Sequence, residues 1–387
     1  MIYIHIPFCR SFCTYCGFYS EAVPDCRERK GRDIEQEKFL RYVEELCGEA
    51  GRRSGEIRAT MPSDRHPEYE DTMYAGGGTP SVLSPVLFSE LVAGVNRVVW
   101  GEPVHRYSEF TVEVNPEDIC EKGEPYVSSL LGAGVDRISM GVQSFDDNVL
   151  RRMNRRHDSS GAVRAFGVLR NAGVGNISID LIFGFRGLSG ELWRKTVEEA
   201  LALNPEHISA YQLSVDSGSI LARRTAKGEN FLAPEDRCRS QYDLLCSMLA
   251  EAGYHHYEVS NFARPGFEAK HNSAYWKRVP YAGLGAGAHS ALPDSSGEVV
   301  ERKWNSEDVE GYVSDGEKLT EEDIRTEKIM LGLRTDRGVD SSLIQGDAAG
   351  RLLAEGALEW CTPSFPGRLR IPENRFFVSD EIIAELV

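Results

Sequence analysis

Short apolar or alternating segments recur along the chain, separated by longer segments with an apolar residue at every third or fourth position. The short segments predict β-strands near 2–6, 71–75, 109–114, 136–141, 176–183 and 206–213. The longer segments predict α-helices over 33–50, 84–99, 124–132, 146–153, 160–172, 189–203 and 235–252. Strand and helix alternate six times, which favours parallel βαβ units with right-handed crossovers.

The predicted fold class is α/β, an open, partial parallel barrel of about six βα units. A closed eight-stranded barrel needs two more repeats than the pattern supplies before residue 252, and a doubly wound sheet is the alternative. The pattern changes after that point. It predicts a partial barrel at 1–252, a connecting segment with an aromatic and histidine motif at 253–310, and a small α/β C-terminal domain at 311–387.

The residues that follow the predicted strands are polar or rich in glycine. Three cysteines follow the first strand, and Gly76-Gly77-Gly78-Thr79-Pro80 follows the second. The third ends in Glu113-Val114-Asn115-Pro116, the fourth in Gly141-Val142-Gln143-Ser144-Phe145, and the fifth carries Asp180. Because active-site groups of parallel α/β folds lie at the carboxyl ends of strands, these residues are predicted to form one ring of binding groups.

The three cysteines, Cys9, Cys13 and Cys16, have the spacing Cys-x3-Cys-x2-Cys. Three thiolates on so short a loop can ligate three irons of a [4Fe-4S] cluster and leave the fourth open for an exchangeable ligand. An open iron suits inner-sphere chemistry on S-adenosylmethionine (SAM). A structural zinc site is the alternative, but zinc takes four ligands, usually as two separated pairs, and the chain has no second Cys-x2-Cys pair.

Composition and charge narrow the class of protein. The 387 residues are 41% hydrophobic and 27% charged, and the net charge of −16 argues against nonspecific nucleic-acid binding. The chain opens on a strand instead of a signal peptide, and no run of about 18 apolar residues predicts a membrane span. The scattered cysteines are expected to be ordinary thiols of a reducing cytoplasm. They are Cys26, Cys47, Cys120, Cys238, Cys246 and Cys361.

Several residues of the predicted ring have an alternative explanation. The glycine run is either a tight turn or a place where a ligand approaches the backbone, and its position beside the cysteines favours the ligand. Glu113 is predicted to accept two hydrogen bonds from ribose hydroxyls. Arg155 belongs either to the same ring as Gln143 or to a solvated basic helix end. Tyr3 either stacks against a cofactor or lines the barrel.

A second unusual cluster is His271-Asn272-Ser273-Ala274-Tyr275-Trp276. A histidine beside two aromatic residues can bind haem, with the imidazole on the iron and the rings against the macrocycle. The alternative is an aromatic loop packed against the barrel mouth. On the residues alone, the packed loop is favoured.

The motifs together resemble the radical SAM proteins of the oxygen-independent coproporphyrinogen III oxidase group, and more closely its haem-chaperone branch. The resemblance runs from residue 1 to about 290, and more loosely to the C-terminus. Beyond the strand-end runs named above, the motifs that carry it are His5-Ile6-Pro7-Phe8-Cys9, Tyr15-Cys16, Asp180-Leu181-Ile182, the His271 motif and Gly283-Leu284-Gly285-Ala286-Gly287-Ala288-His289.

The resemblance implies a radical SAM barrel in which Cys9, Cys13 and Cys16 ligate a [4Fe-4S] cluster. It implies SAM contacts from Tyr3, Gly77, Gly78, Thr79, Glu113, Gln143, Arg155, Asp180 and Ile182. In the chaperone branch the His-Asn-x-x-Tyr-Trp motif is associated with haem, which makes His271 the predicted haem ligand. The implied function is to bind haem and pass it to apo-haemoproteins such as respiratory enzymes. The resemblance assigns no catalytic residues and does not identify the electron donor.

Two features favour the chaperone branch over the enzymes of the group, which decarboxylate coproporphyrinogen III oxidatively. Those enzymes resemble Cys-x3-Cys-x2-Cys-Gly-Cys and carry a long N-terminal extension, whereas this chain has Phe18 at the fourth cysteine position and eight residues before Cys9. The dehydrogenase reaction is the alternative function. Gly17, where the chaperone branch usually has Asp, and Arg186, where the family usually has Pro, depart from the pattern.

Overall fold

The computed structural model describes residues 1–23, 29–63, 69–361, 363 and 365–387, with the side chains of the first helix described from residue 35 onward. Cys26 and the last residues of the polar segment 52–68 lie outside the described residues. The other eight cysteines are free thiols. No helix in the described part of the chain is both long and apolar enough to span a membrane.

Six parallel strands form the centre of the main sheet, in the order in which they occur along the chain. They are β1 (Ile2–Ile6), β2 (Thr72–Gly77), β3 (Glu109–Val114), β4 (Arg137–Gln143), β5 (Ile177–Phe183) and β6 (His207–Gln212). A doubly wound sheet reverses its strand order at a switch point, and this sheet does not. The predicted α/β fold with six βα units is confirmed, and the sheet stays open.

Three later strands extend the sheet at its two edges. They are β7 (His255–Glu258), β8 (Asn261–Ala263) and β9 (Ala282–Leu284). β9 pairs in parallel with β1, while β8 pairs antiparallel with both β6 and β7. The segment 253–310 therefore contributes three strands to the main sheet. The division at 1–252, 253–310 and 311–387 stays a prediction, and the sheet crosses its first boundary.

Helices follow the strands, and most of them cover the outer face of the sheet, whereas the helix Lys270–Trp276 packs through His271 against the inward-facing Tyr74. Their bounds are α1 (Arg29–Arg52), α2 (Ser54–Ala59), α3 (Pro85–Trp100), α4 (Pro116–Gly132), α5 (Asp147–Arg152), α6 (Ser159–Asn171), α7 (Gly190–Ala202), α8 (Ile220–Thr225), α9 (Glu235–Glu251) and α10 (Lys270–Trp276). Ser84, Asp158 and Ser189 cap α3, α6 and α7 by accepting a backbone N–H with the side chain. α2 lies in a segment that the sequence predicts to be a surface loop.

Strand alternation separates an apolar outer layer from a polar interior. Ile2, Ile4 and Ile6 of β1 are fully buried in the hydrophobic core, so the intervening Tyr3 and His5 face the inside of the barrel. The same alternation places polar side chains inside on the neighbouring strands. These are Thr111 and Glu113 on β3, Arg137 and Ser139 on β4, Ser178 and Asp180 on β5, and His207 and Ser209 on β6.

The remaining residues form two small sheets with flanking helices. One sheet contains β10 (His289–Pro293), β11 (Val299–Asn305) and β12 (Ser314–Lys318). The other contains β13 (Val339–Asp340), β14 (Glu359–Trp360) and β15 (Arg368–Arg370). The helices are α11 (Glu321–Gly332), α12 (Ala348–Ala354) and α13 (Ser379–Ala384), with 3-10 turns at Pro80–Val82, Ser341–Leu343 and Glu373–Val378.

Candidate functional site

The cysteine loop leaves the carboxyl end of β1 and is held at both sides of the barrel mouth. Its start, Phe8–Cys9, pairs in parallel with Glu21–Ala22, which closes the loop on itself. Thr14 N donates to Met153 O (3.1 Å), and Leu221 N donates to Thr14 O (2.8 Å). These contacts fix the loop against the ends of α5 and α8, so all three cysteines lie at the carboxyl edge of the sheet.

The three thiols lie close enough for their charges to act on one another. Cys9 Sγ lies 3.4 Å from Thr79 Oγ1, and Arg155 Nη1 donates to Cys13 Sγ at 3.3 Å. Burial raises the pKa of Cys9, and it raises the pKa of Cys16 to about 11. Iron binding therefore has to displace protons here, since the thiolate is the metal ligand.

The arrangement fits a cluster better than one metal ion. Among the described residues, no three His, Cys, Asp or Glu side chains are placed to hold a single metal ion. A [4Fe-4S] cluster binds each thiolate at a different iron, so its ligands stand farther apart. Cys9, Cys13 and Cys16 would hold such a cluster, and the Arg155 guanidinium donates a hydrogen bond to the sulfur of Cys13.

The glycine run brings the backbone of β2 directly against the cysteine loop. Gly77 has φ +105°, and a Cβ there would overlap with the imidazole of His5. A Cβ at Gly78 would lie 2.8 Å from both Ile6 O and Phe8 N. Side chains are therefore excluded at both positions, because the backbone of the glycine run packs closely against β1 and the residues that follow it.

Glu113 lies at the end of β3 with both carboxylate oxygens held. The Tyr74 hydroxyl donates to Oε1 (2.7 Å), and Gly77 N donates to Oε2 (3.2 Å). Burial raises its pKa to about 7, and these hydrogen bonds oppose the rise. Sequence reasoning found Glu113 from its place at a strand end but missed Tyr74, which fixes its orientation.

Asn115 and Arg155 connect three strand ends to the cysteine loop. Asn115 Nδ2 donates to Thr79 Oγ1 (3.0 Å), and Arg155 Nη2 donates to both Asn115 Oδ1 and Gly141 O (2.6 Å each). Burial opposes the charge of Arg155, but Cys13, Tyr15 and Glu117 outweigh it and raise the pKa of the guanidinium. Asn115 belongs to the run Glu113-Val114-Asn115-Pro116, but the sequence alone does not predict that it bridges Thr79 and Arg155.

The remaining predicted SAM contacts line the barrel below this edge. Gln143 has φ +68° and lies where the pairing register between β4 and β5 shifts. Ser139 Oγ donates to the carboxylate of Asp180 (3.0 and 3.2 Å), whose pKa is raised by burial. Tyr3 OH is hydrogen-bonded with His5 Nδ1 (3.0 Å). In the structure, these side chains and Ile182 lie at the mouth or in the interior of the same barrel. Their contacts with SAM stay predictions.

His271 lies at the amino-terminal end of the barrel interior, where its ring packs against that of Tyr74 with the centroids 5.2 Å apart. It sits on α10, is only 1% exposed, and both ring nitrogens are engaged: Nδ1 with Thr72 Oγ1 (2.7 Å) and Nε2 with Tyr275 OH (2.9 Å). Burial lowers its pKa well below the usual range, so the ring is neutral. Thr72 opens β2, whereas the cysteines follow the opposite end of β1. Haem ligation by His271 stays a prediction, and it requires at least one of these hydrogen bonds to break.

The sequence is similar to known proteins of one superfamily and, within it, of one family. The sequence model of the radical SAM superfamily matches residues 3–200. The protein named "Heme chaperone HemW" from Bacillus subtilis (strain 168) is 33% identical over 347 residues, 87% of this chain and 84% of that one. Its namesake from Lactococcus lactis subsp. lactis (strain IL1403) is 34% identical over 345 residues, 87% and 82%. That from Escherichia coli (strain K12) is 31% identical over 300 residues, 77% and 72%.

One solved structure matches the whole fold. Coproporphyrinogen III oxidase (HemN) from Escherichia coli, described as a radical SAM enzyme, has a TM-score of 0.75 and covers all of this chain and 89% of its own. At 20% sequence identity this likeness concerns the fold alone. The superfamily match covers the first five strands of the barrel, and the relatives above 30% identity extend well beyond it. The chain therefore belongs to the radical SAM superfamily and, within it, to the family of the HemW proteins.

Proposed function

We propose that this chain is a cytoplasmic haem chaperone, which binds haem and delivers it to apo-haemoproteins while carrying a SAM-binding [4Fe-4S] cluster. The observation that carries the proposal is its relation to HemW haem chaperones, at 31–34% identity over most of both chains. Apo-haemoproteins of respiration are the proposed recipients.

The site supports a cofactor-holding role for the barrel mouth. Cys9, Cys13 and Cys16 are the proposed cluster ligands, and a cluster with one open iron supplies one-electron chemistry on SAM when it is bound. Arg155 holds its position through three acceptors, so it can receive an anionic group of SAM without reorganising. Glu113, oriented by Tyr74 and Gly77, is the proposed acceptor for ribose hydroxyls.

Phe18 supports the chaperone role over catalysis. The fourth cysteine position of the enzyme branch is here a phenylalanine, and its ring is 74% exposed beside the cysteine loop. A large apolar side chain that stays in water contributes little to folding stability. It offers a flat apolar contact close to the site.

The function is tested by haem transfer. Cluster-reconstituted protein loaded with haem is mixed anaerobically with the apo-form of a respiratory b-type cytochrome, and the recipient's absorption spectrum is followed. We expect haem to reach the recipient faster from this protein than from haem-loaded albumin. A separate reaction with reductant, SAM and coproporphyrinogen III should give no product. Catalytic appearance of protoporphyrinogen would instead assign the dehydrogenase reaction.

The proposed haem ligand is tested separately. We expect His271→Ala to lower haem affinity at least about tenfold, since an imidazole–iron bond is lost. Tyr275→Phe removes the hydroxyl that occupies Nε2 and is expected to keep or raise affinity. Equal haem affinity of His271→Ala and the parent protein would reject this ligand and leave the transfer test to decide the function.

A further inference from the structure

Arg137 is a buried arginine without a partner. It is 3% exposed, its Nε is buried without an acceptor, and it forms neither a hydrogen bond nor an ion pair with any residue that the structure describes. It opens β4, so its Cα lies about 20 Å along the strand from that of Gln143, at about 3.3 Å per residue. It is therefore deeper in the barrel than the residues of the mouth.

A second buried arginine shows what a structural role looks like in this chain. The side chain of Arg278 is 5% exposed and is paired with two carboxylates: Glu298 and, at 2.8 Å, Glu327. It also donates to Val299 O (3.1 Å). A buried guanidinium that only stabilises the fold needs such partners, because removing a charge from water costs several kcal/mol. Arg137 has none of them within the described residues.

Arg137 faces the interior chamber of the barrel, and the alternation of the strands places Glu113, Asp180 and Tyr74 on the same inner side. The charge of Arg137 lowers the pKa values of Glu113, Asp180 and Tyr74, in each case against the larger effect of burial, which raises them. Tyr211, on the same face of β6 as Ser209, is 45% exposed. The inner face of β6 therefore meets solvent at its carboxyl end.

We propose that Arg137 binds the carboxylate of a small organic acid in the interior of the barrel. A planar guanidinium matches a carboxylate with two parallel hydrogen bonds, and this pairing is strongest away from water. The site is separate from the cysteine loop and from Arg155, and it does not rest on haem binding. It gives the barrel a small-molecule ligand in addition to the proposed haem cargo.

The surroundings favour a carboxylate over a phosphate. Glu113 and Asp180 face the same chamber, so a dianionic phosphate would meet two acidic groups. A monoanion meets less repulsion, and a protonated carboxyl group with a raised pKa can donate a hydrogen bond to it. Tyr74 and Tyr211 add aromatic surface for the organic part of the ligand.

The test uses difluoroacetate as a probe and its neutral amide as a control. Fluorine NMR follows its titration with cluster-reconstituted protein at constant ionic strength, with saturating SAM to compete for any carboxylate site at the cluster. We expect saturable binding of difluoroacetate, none of difluoroacetamide, and weaker competition by inorganic phosphate than by acetate. Arg137→Gln should weaken binding at least about tenfold, while Arg278→Gln should not change it.

Thermal unfolding separates ligand binding from a structural role. Because Arg137 has no partner to lose, Arg137→Gln should melt at or above the temperature of the parent protein without the anion, and it should lose the stabilisation that the anion gives. Arg278→Gln should melt lower and keep that stabilisation. A lowered melting temperature of Arg137→Gln with unchanged difluoroacetate binding would overturn the proposal, as would equal binding of the neutral amide. Haem titration of the parent protein and of Arg278→Gln reports on the proposed function independently.

Discussion

At the scale of the residue, Arg155 does three things with one guanidinium. It donates to a cysteine of the loop, to the side chain that follows β3 and to a carbonyl of β4. Only a planar group with several fixed donors can hold three acceptors on three segments, and a lysine offers one point charge instead.

We therefore predict that Arg155→Lys lowers SAM affinity about tenfold, or about 1.4 kcal/mol, while the cluster still assembles. Isothermal titration under anaerobic conditions gives the affinity, and visible absorption gives the cluster content. Arg156→Lys, at the exposed neighbouring position, is the matched control and should leave both unchanged. Full SAM affinity in Arg155→Lys would show that charge alone is sufficient at this position.

Glu258 is expected to make the stability of the protein depend on pH. It is fully buried, its Oε1 has no hydrogen-bond partner among the described residues, and burial raises its pKa to about 7 from an ordinary 4.5. An acid whose folded pKa is raised binds a proton that the unfolded chain has released, so stability falls as pH rises from about 4.5 to 7. The cost is about 3 kcal/mol above that range. Glu258→Gln should remove this dependence, which urea unfolding between pH 5 and 8 measures; a parallel decline in both proteins would contradict it.

The chemistry of single residues could be predicted from the sequence where one residue type is sufficient. The cysteine spacing and the strand-end position of Glu113 are examples. Tyr74, Asn115 and Arg137 were missed because their roles depend on which strands become neighbours and which side chains lie opposite. An arginine that begins a strand is ordinary in a sequence, and only the absence of a partner in the fold makes it unusual.

At the scale of the element, glycine and proline produced the main differences between prediction and structure. α4 was predicted to begin at 124, but it begins at Pro116 and continues through a kink at Gly123, which has φ +66°. α10 was expected to be an aromatic loop, and it is a helix whose first N–H groups donate to the buried carboxylate of Glu109. That carboxylate comes from β3, so no local pattern could reveal it.

The glycine at the end of β2 gives a prediction for that strand. Gly77→Ala introduces a side chain at φ +105° that overlaps with His5, and it should cost about 2–3 kcal/mol of unfolding free energy. Gly167→Ala is the matched control, because Gly167 lies inside α6 with nothing within 4 Å of the added Cβ. That control should gain up to about 1 kcal/mol. Chemical denaturation of both proteins measures the difference, and equal stabilities would disprove the strain at Gly77.

At the scale of the whole molecule, the winding of the sheet followed from the alternation of strands and helices, but its edges did not. β9 joins β1 after more than 270 residues of intervening chain. Gly285, directly after β9, approaches the carbonyl of His5 on β1, while Gly283 approaches the backbone of His289. The sheet of β13, β14 and β15 lies within the predicted C-terminal α/β unit, and its strands of two and three residues carry too little periodicity for their bounds to be recognised.

His255 is one of the residues that join the main sheet to the C-terminal region. His255 of β7 lies 3.1 Å from Glu268 and 3.1 Å from Asp336, which follows α11. Asp336 makes the largest contribution to raising the pKa of His255 to about 9, and Glu268 adds to it against burial. The neighbouring Asp336 N donates to Tyr257 O at 3.1 Å, so this contact holds the two parts together.

A histidine with a raised folded pKa contributes stability that is fully present below its unfolded pKa, near 6.5, and is lost as pH rises through about 9. We therefore predict that amide hydrogen exchange of β7 and of residues 334–340 accelerates between pH 8 and 10, beyond the intrinsic increase in exchange rate. The cause is loss of the His255 charge, which leaves Glu268 and Asp336 facing each other without a cation. His255→Gln should show the faster exchange already at pH 7 and no further step near pH 9. The same step near pH 9 in both proteins would assign it to another group and remove His255 from this role.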